Sequence, residues 1–319
     1  MPHTISIACT VRNEADNIAA LLESMLAQTL PADEIVINDC QSTDATPQIV
    51  ADYAARYPQI RLVAGGFNIS SGRNNAVRAA RGTIIACTDA GLTLDPHWLA
   101  AISAPLRDET ADLVGGFFCP APQSLFELTL GAVNYPEVHD VDPARFLPFG
   151  QSMAFRPAVW QAVGGFPEWA SHCEDLVFDL AAERAGFRRT FAPEALVYFR
   201  PRASLAAFAR QYYFYARGDG RANLWPRRHA ARYVAYLLLL LMLGVMLRWS
   251  LLRLPGAALL SIGAASYTRA PYRRLWRRLD TLPVQHKLLA LALVPIIRLV
   301  GDLAKMVGYP VGVWRRMRR

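Results

Sequence analysis

Acids and amides recur in this chain directly after short β-rich runs. Asn13-Glu14 follows residues 5–11, Asp39 follows 34–38, and Asp89 follows 83–87. In a parallel α/β sheet ligands bind at the carboxyl ends of the strands, so side chains at these positions share one edge. Gly72-Arg73-Asn74 falls at the start of a predicted helix, where backbone N–H groups and a guanidinium can face an anion together. Glu174-Asp175 stands just ahead of the helical run Leu176-Val-Phe-Asp-Leu180. A carboxylate there can take a proton as a general base, and the same pair can equally be the acidic first turn of a helix. Asp16 and Asp44 read in part as turn or cap acids, an alternative Asp39 shares. Leu94-Asp95-Pro96 reads as a cap before the helix that contains Trp98.

Holding these groups in place requires strands and helices in alternation. Residues 5–11, 34–38, 61–63 and 83–87 read as strands, and 15–27, 45–57 and 71–81 as the helices between them. That spacing predicts an α/β fold with a mostly parallel sheet, continuing to about Trp225. No G-x-G-x-x-G follows the first strand, which argues against a dinucleotide oxidoreductase.

Composition supports a packed chain. Of 319 residues 53% are hydrophobic and 19% charged, with a mean hydropathy of +0.16, which excludes a disordered or fibrous protein. The net charge of +8 hides two opposite parts. Residues 1–225 hold 17 Arg against 24 Asp and Glu, net −7, whereas 226–319 hold 17 Lys and Arg against Asp280 and Asp302, net +15. Basic residues interleaved with apolar runs suit anionic lipid better than a phosphate-tracking groove, and no nucleic-acid motif accompanies them. No nucleic-acid partner is expected. The five cysteines, Cys9, Cys40, Cys87, Cys119 and Cys173, include no C-x-x-C pair and read as reduced thiols. The start of the chain carries no charged segment with a long apolar core, so no secretory signal is expected.

Ordered along the chain are Thr10-Val-Arg-Asn-Glu14, Ile35-Val-Ile-Asn-Asp-Cys-Gln-Ser-Thr-Asp-Ala-Thr46, Gly72-Arg-Asn-Asn-Ala76, Thr88-Asp-Ala-Gly91, and Gly164-Gly-Phe166 before Cys173-Glu-Asp175. The set resembles the family 2 glycosyltransferases of GT-A fold over roughly residues 3–220. The resemblance implies that residues 1–225 form a catalytic domain that binds a nucleotide-sugar donor, expected to be UDP-linked. It places Asn13, Glu14 and Asp39 at the base and ribose, and Arg73 and Asn74 beside the donor. Asp89 would be the first acid of the family's Asp-x-Asp motif, at the ribose and a divalent metal, Mg²⁺ or Mn²⁺. Gly91 departs from that motif, for the second acid is missing. Asp175 would be the general base of an inverting transfer, with Glu174 orienting the acceptor and His172 on the site wall. Gln211 matches the first residue of a Gln-x-x-Arg-Trp motif of processive relatives, whose Arg and Trp are here Phe214 and Tyr215. That departure argues for a non-processive enzyme, with Arg217 as a displaced cation at the diphosphate.

After Trp225 the chain changes character. Runs at 233–252 and 254–268 are apolar, 269–278 is basic with Tyr272 and Trp276 between the arginines, and 284–312 is amphipathic. About 20 apolar residues span a bilayer, so 226–319 reads as a membrane-associated region, either a hairpin over 233–268 or one span with interfacial helices. The expected enzyme sits at the cytoplasmic (inner) membrane, facing the cytosol, and acts on a lipid-linked or envelope-polysaccharide acceptor. Direct transfer to a polyprenyl phosphate, and an inactive nucleotide-sugar-binding homologue, are the alternatives.

Overall fold

The computed structural model describes residues 3–280 and 282–318; Met1 and Pro2 of the N-terminal segment, Thr281, and Arg319 of the basic tail lie outside the described residues. The chain forms two compact units. One comprises residues up to Ala121 together with Val138–Arg200, the other Pro122–Glu137 together with Pro201 onward.

The first unit opens as the alternation predicts: β1 (Ile5–Val11), α1 (Ile18–Leu26), β2 (Glu34–Asp39), α2 (Thr46–Arg56), β3 (Ile60–Ala64), α3 (Ile69–Ala79) and β4 (Ile84–Asp89). α3 begins two residues before the expected start because Asn68 and Ser71 form a reciprocal cap. The Asn68 side chain accepts from Ser71 N at 2.9 Å, while Asn68 N donates to Ser71 Oγ at 3.1 Å. β1 and β2 are buried along their whole length, which is the pattern of strands covered on both faces.

Beyond Asp89 follow β5 (Leu92–Leu94), α4 (Trp98–Arg107) and β6 (Leu113–Pro120). Next, in the second unit, comes α5 (Leu125–Asn134), and back in the first unit β7 (Ser152–Phe155), α6 (Pro157–Val163), α7 (Glu174–Arg184) and β8 (Arg189–Phe199). The eight strands run in the order β3-β2-β1-β4-β7-β6-β8-β5. The sheet is mixed where a mostly parallel one was expected. β1 to β4 are parallel, but β7 is antiparallel to both β4 and β6, and β5 is antiparallel to β8. The antiparallel strand has a consequence for the site. Ser152, the first residue of β7, pairs with Thr88 near the end of β4, so the loop ahead of β7 joins the carboxyl edge of the parallel strands. Register does the rest, since Thr10 lies opposite both Asn38 and Asp89.

Beneath the sheet the core includes Phe155, Phe166 and Phe178, all fully buried, with Phe166 and Phe178 stacked at 4.4 Å. Each such ring stabilises the fold by about 1.5–3 kcal/mol through burial. This packing fixes α7 under the strand edge.

The second unit continues with α8 (Leu205–Ala222), α9 (Pro226–Arg248), α10 (Arg253–Leu279) and α11 (Val284–Met317). Its core joins Leu130, Phe208, Leu275, Val294 and Ile297. Among the described residues α9 is the one helix long and apolar enough to cross a membrane, with a hydropathy of 2.0 and none of its apolar stretch buried. The run at 254–268 forms the first part of α10, and 284–312 falls inside α11.

Candidate active site

A cavity of about 380 Å³ opens at the ends of β1, β2 and β4, with Thr10, Arg12, Glu14, Cys40, Asn68 and Asp89 in its wall. Two loops frame it and are tied together. Asn13, in a left-handed conformation at φ 55°, accepts from Thr43 N at 2.8 Å and donates its own N–H to Ser42 Oγ at 2.9 Å. Glu14 N donates to Thr46 Oγ1 at 2.8 Å, and Asp44 accepts from Thr46 and from Ala15 N, as a turn acid does. Asp39 uses one carboxylate oxygen on Ser42 N at 3.1 Å. Its other oxygen is buried and has no hydrogen-bond partner among the described residues.

Arg73 is the hub of the site. Its side chain is 1% exposed, donates from Nη2 to Asp89 at 2.6 Å and from Nη1 to Glu174 at 3.0 Å, and lies 5.0 Å over the Phe166 ring. Gly150 closes the other side: a Cβ there would fall 2.5 Å from Nη2, so only glycine permits the approach. Burial opposes the charge, but Asp89 and Glu174 outweigh it and hold the guanidinium more firmly ionised than usual. Asn74 faces elsewhere. Its amide bonds Phe166 N and O, Trp160 Nε1 and Glu168, pinning α3 to the Gly164-Gly-Phe166 turn.

Cys173, left-handed at φ 62°, turns the chain so that Glu174 and Asp175 begin α7 side by side. Asp175 accepts from Gly150 N at 3.1 Å and from Leu176 N at 2.8 Å. Burial raises its pKa, with Arg73 and these two N–H groups pulling the other way. Burial and the adjacent Asp175 charge push Glu174 up to about 7 despite Arg73. One turn further on, Asp179 is fully buried with no hydrogen-bond partner for either oxygen among the described residues, and burial followed by the Asp175 charge raises it well above the usual carboxylate range.

Of the residues read from sequence, Asp89, Arg73, Glu174 and Asp175 are thus brought into one connected group, with Asn13, Glu14 and Asp39 on the neighbouring strand ends. His172 meets Ser171 Oγ at 3.1 Å. Asp95 is not the N-cap expected: His97 holds that position ahead of α4, and Asp95 accepts from His97 N at 3.0 Å as a turn acid two residues earlier. Gln211 and Arg217 lie on α8 in the second unit, where Gln211 donates to Tyr215 Oη at 2.8 Å and Arg217 lies 4.6 Å over the Phe214 ring. Sequence reasoning did not single out Arg12, Cys40, Asn68 or Asp179. The Asn68-x-x-Ser71 cap pattern was the available signal for Asn68; an acid inside a helical run gives none for Asp179.

Oxygen donors suited to a hard divalent cation are present. Asp89 is partly exposed to the cavity, and a Cβ built at Gly91 would stand 3.7 Å from Glu14 Oε2, so the Glu14 carboxylate reaches the neighbourhood of the missing acid. Gly91 itself is left-handed at φ 74°, a conformation that an aspartate adopts only with strain.

Residues 6–145 match the model of Glycosyl transferase family 2, and residues 140–296 that of Glycosyl transferase family group 2. The chain is a family 2 glycosyltransferase. A family 2 glycosyltransferase moves a sugar from a nucleotide-sugar donor. Over 228 residues this one is 24% identical to the glycosyltransferase AglE of Haloferax volcanii, covering 69% of this chain and 74% of that one. Over 226 residues it is 26% identical to the succinoglycan biosynthesis protein ExoA of Rhizobium meliloti, covering 67% and 68%. A mannosyltransferase from Pyrobaculum calidifontis, solved with GDP-Man and Mn²⁺, shares the GT-A-like fold at a TM-score of 0.58 and 19% identity, over 99% of this chain and 88% of that one.

Proposed function

We propose that this family 2 glycosyltransferase is an inverting, non-processive enzyme. It transfers a sugar from a nucleotide-sugar donor, UDP-linked on the sequence resemblance, to a hydroxyl of a lipid-linked or cell-envelope polysaccharide acceptor at the cytosolic face of a membrane. The observation that carries the reading is Arg73, one buried guanidinium with Asp89 of the cavity wall on one nitrogen and Glu174, next to Asp175, on the other. Donor-side and acceptor-side carboxylates are thereby held within the span of a single side chain.

In this scheme Asn13, Glu14 and Asp39 take the nucleoside, and the Asp39 oxygen without a hydrogen-bond partner among the described residues accepts a hydrogen bond from a ligand hydroxyl. Asp175 is the base. The acceptor hydroxyl gives its proton to the Asp175 carboxylate, its oxygen bonds to the anomeric carbon, and the bond from that carbon to the diphosphate oxygen breaks. The electron pair departs on the nucleoside diphosphate. The N–H groups of Gly150 and Leu176 orient the Asp175 carboxylate, and Glu174, anchored by Arg73, shapes the acceptor side. Asn74 keeps α3 in register with the acid pair. Asp89, with Glu14 beside it, would hold a divalent ion, Mg²⁺ or Mn²⁺, which when bound supplies positive charge to the leaving diphosphate.

Membrane attachment is supported by α9, whose apolar stretch has a hydropathy of 2.0 and none of it buried. The mannosyltransferase solved with GDP-Man and Mn²⁺ and the succinoglycan biosynthesis protein agree with a nucleotide-sugar donor and a polysaccharide product.

Asp175→Asn tests the base. It keeps shape and polarity, so kcat is expected to fall by about a hundredfold or more while donor affinity stays unchanged. Turnover close to that of the unaltered enzyme would remove Asp175 from the mechanism and point to an acceptor already ionised, such as a polyprenyl phosphate.

A further inference from the structure

Three helices of the second unit meet in one polar knot. Asp302 of α11, 9% exposed, accepts from Arg232 Nε at 2.8 Å and Tyr236 Oη at 3.4 Å on α9, and from Tyr267 Oη on α10. Past the knot both α9 and α10 shed their packing. Leu237, Leu240 and Leu247 on α9, and Leu254, Leu259 and Ile262 on α10, are 57–83% exposed. The two helices meet again at the far end, where Arg253 Nε donates to Met246 O at 3.1 Å. Residues 237–266 therefore form an apolar hairpin, roughly 18–21 Å from knot to tip at 1.5 Å per residue.

Just outside its root the chemistry of α10 changes. Thr268, Pro271, Leu275 and Leu279 make its buried stripe, while another face presents Arg269, Arg273 and Trp276. With Ala265, Ser266 and Tyr272 these line an open groove of about 600 Å³. Trp276 is 67% exposed, and Arg269 makes no ion pair among the described residues. Arg277, by contrast, is turned to Glu137 at 3.1 Å. Arg269 and Arg273 follow Tyr267 by two and six residues, or roughly 3 and 9 Å along the helix. A bilayer's polar layer is about 5–7 Å deep on each side, so a hairpin inserted to its root puts the groove among the headgroups. Two arginines one turn apart beside an exposed indole suit an anionic group at that depth.

We propose that this groove binds the phosphate of an anionic phospholipid headgroup, the hairpin lying in the hydrocarbon. The inference rests on the membrane reading given above. Each arginine near an anionic bilayer surface strengthens binding by about fivefold, about 25-fold for the pair. The test is flotation of the full chain with vesicles of phosphatidylcholine alone and of phosphatidylcholine with phosphatidylglycerol. The unaltered chain is expected to float with both and to prefer the anionic vesicles. Arg269→Gln with Arg273→Gln is expected to lose about 25-fold of that preference while still floating with phosphatidylcholine. A double variant that keeps the full preference, or an unaltered chain with none, overturns the headgroup site and leaves the membrane reading standing. An unaltered chain that floats with neither vesicle overturns both. Displacement of the preference by inorganic phosphate, at an ionic strength where chloride has no effect, would make the groove a free-ion site and overturn the lipid assignment.

Discussion

Replacing Arg73 by methionine keeps a long side chain in the space over Phe166 but removes the charge and every donor, leaving Asp89 and Glu174 without their shared counter-ion. Removing one partner of a buried ion pair costs about 3–5 kcal/mol. Asp89 is 31% exposed and water screens its share, so the loss falls mainly on Glu174, which is 8% exposed. At about 2–4 °C per kcal/mol for a unit of this size, the full drop in Tm is about 6–20 °C, and since one carboxyl changes stability by at most about 1.4 kcal/mol per pH unit it is reached only about two to three units above the Glu174 value. The loss must also depend on pH. Glu174 is already pushed up to about 7 in the folded protein, and without Arg73 it rises further. A carboxyl raised in the folded state holds its proton where the unfolded chain has released it. The stability it contributes is therefore complete below the unfolded value, about 4.3, and is lost as pH rises through the folded value. The variant should accordingly lie close to the unaltered protein near pH 4, the gap opening as pH passes 7. Thermal unfolding of the full chain in detergent, followed by circular dichroism across that range, measures it. A drop below about 2 °C in alkaline buffer, or one that does not change with pH, would refute the idea that Arg73 neutralises two ionised carboxylates.

For the unaltered enzyme the acid limb of kcat should lie at higher pH than an ordinary aspartate gives, because the base must be ionised and burial raises Asp175; Glu174→Gln removes a neighbouring negative charge and should move that limb to lower pH, as a pH–rate profile will show. With Asp89 and Glu14 as the oxygen donors at hand, transfer is expected to saturate only at high Mg²⁺ or Mn²⁺ and to be lost in EDTA; full activity in the chelator would remove the metal from the scheme. Gly91→Asp, which forces a side chain onto φ 74° beside Glu14, should cost about 1–2 kcal/mol of stability, read as a fall in Tm. The full chain should resist high-salt extraction from membranes and yield to detergent; release by salt alone would show surface association without insertion of α9.

Strands β1 to β4 and the helices between them were legible because each is a short, nearly continuous apolar run with turn residues at its end. The second half of the sheet was not. β6 carries Gly115-Gly116 within it, β7 is four residues long, and β8 alternates only loosely, so none gives the periodic signal on which an antiparallel insertion could be read. The apolar runs after Trp225 were equally plain, yet composition could not separate α9 from the start of α10. Their exposure on both arms and the common root at Asp302 are tertiary facts, for the Arg232–Asp302 pair joins residues 70 apart.

The site divides along the same line. Residues at strand ends were legible because position alone places them: Asp39 and Asp89 must share an edge once β1, β2 and β4 are parallel neighbours. What sequence could not give is the partner of each charge. Arg73 read as a cation facing the donor, but the fold turns its guanidinium inward, where Gly150 leaves just enough space and where Glu174, 101 residues away, meets it. Two acids assigned to opposite sides of a reaction are thus coupled through one buried cation, so a change of charge at Asp89 is felt at the acid pair without any movement of α7. Asp179 adds to this from behind. A fully buried carboxyl one turn from Asp175, with no hydrogen-bond partner among the described residues, is cheapest in its neutral form, and keeping it neutral spares Asp175 a second like charge on the same helix. The ionisation state of the proposed base is therefore set first by its own burial and, against that, by Arg73 and the N–H groups of Gly150 and Leu176, partners that packing alone supplies.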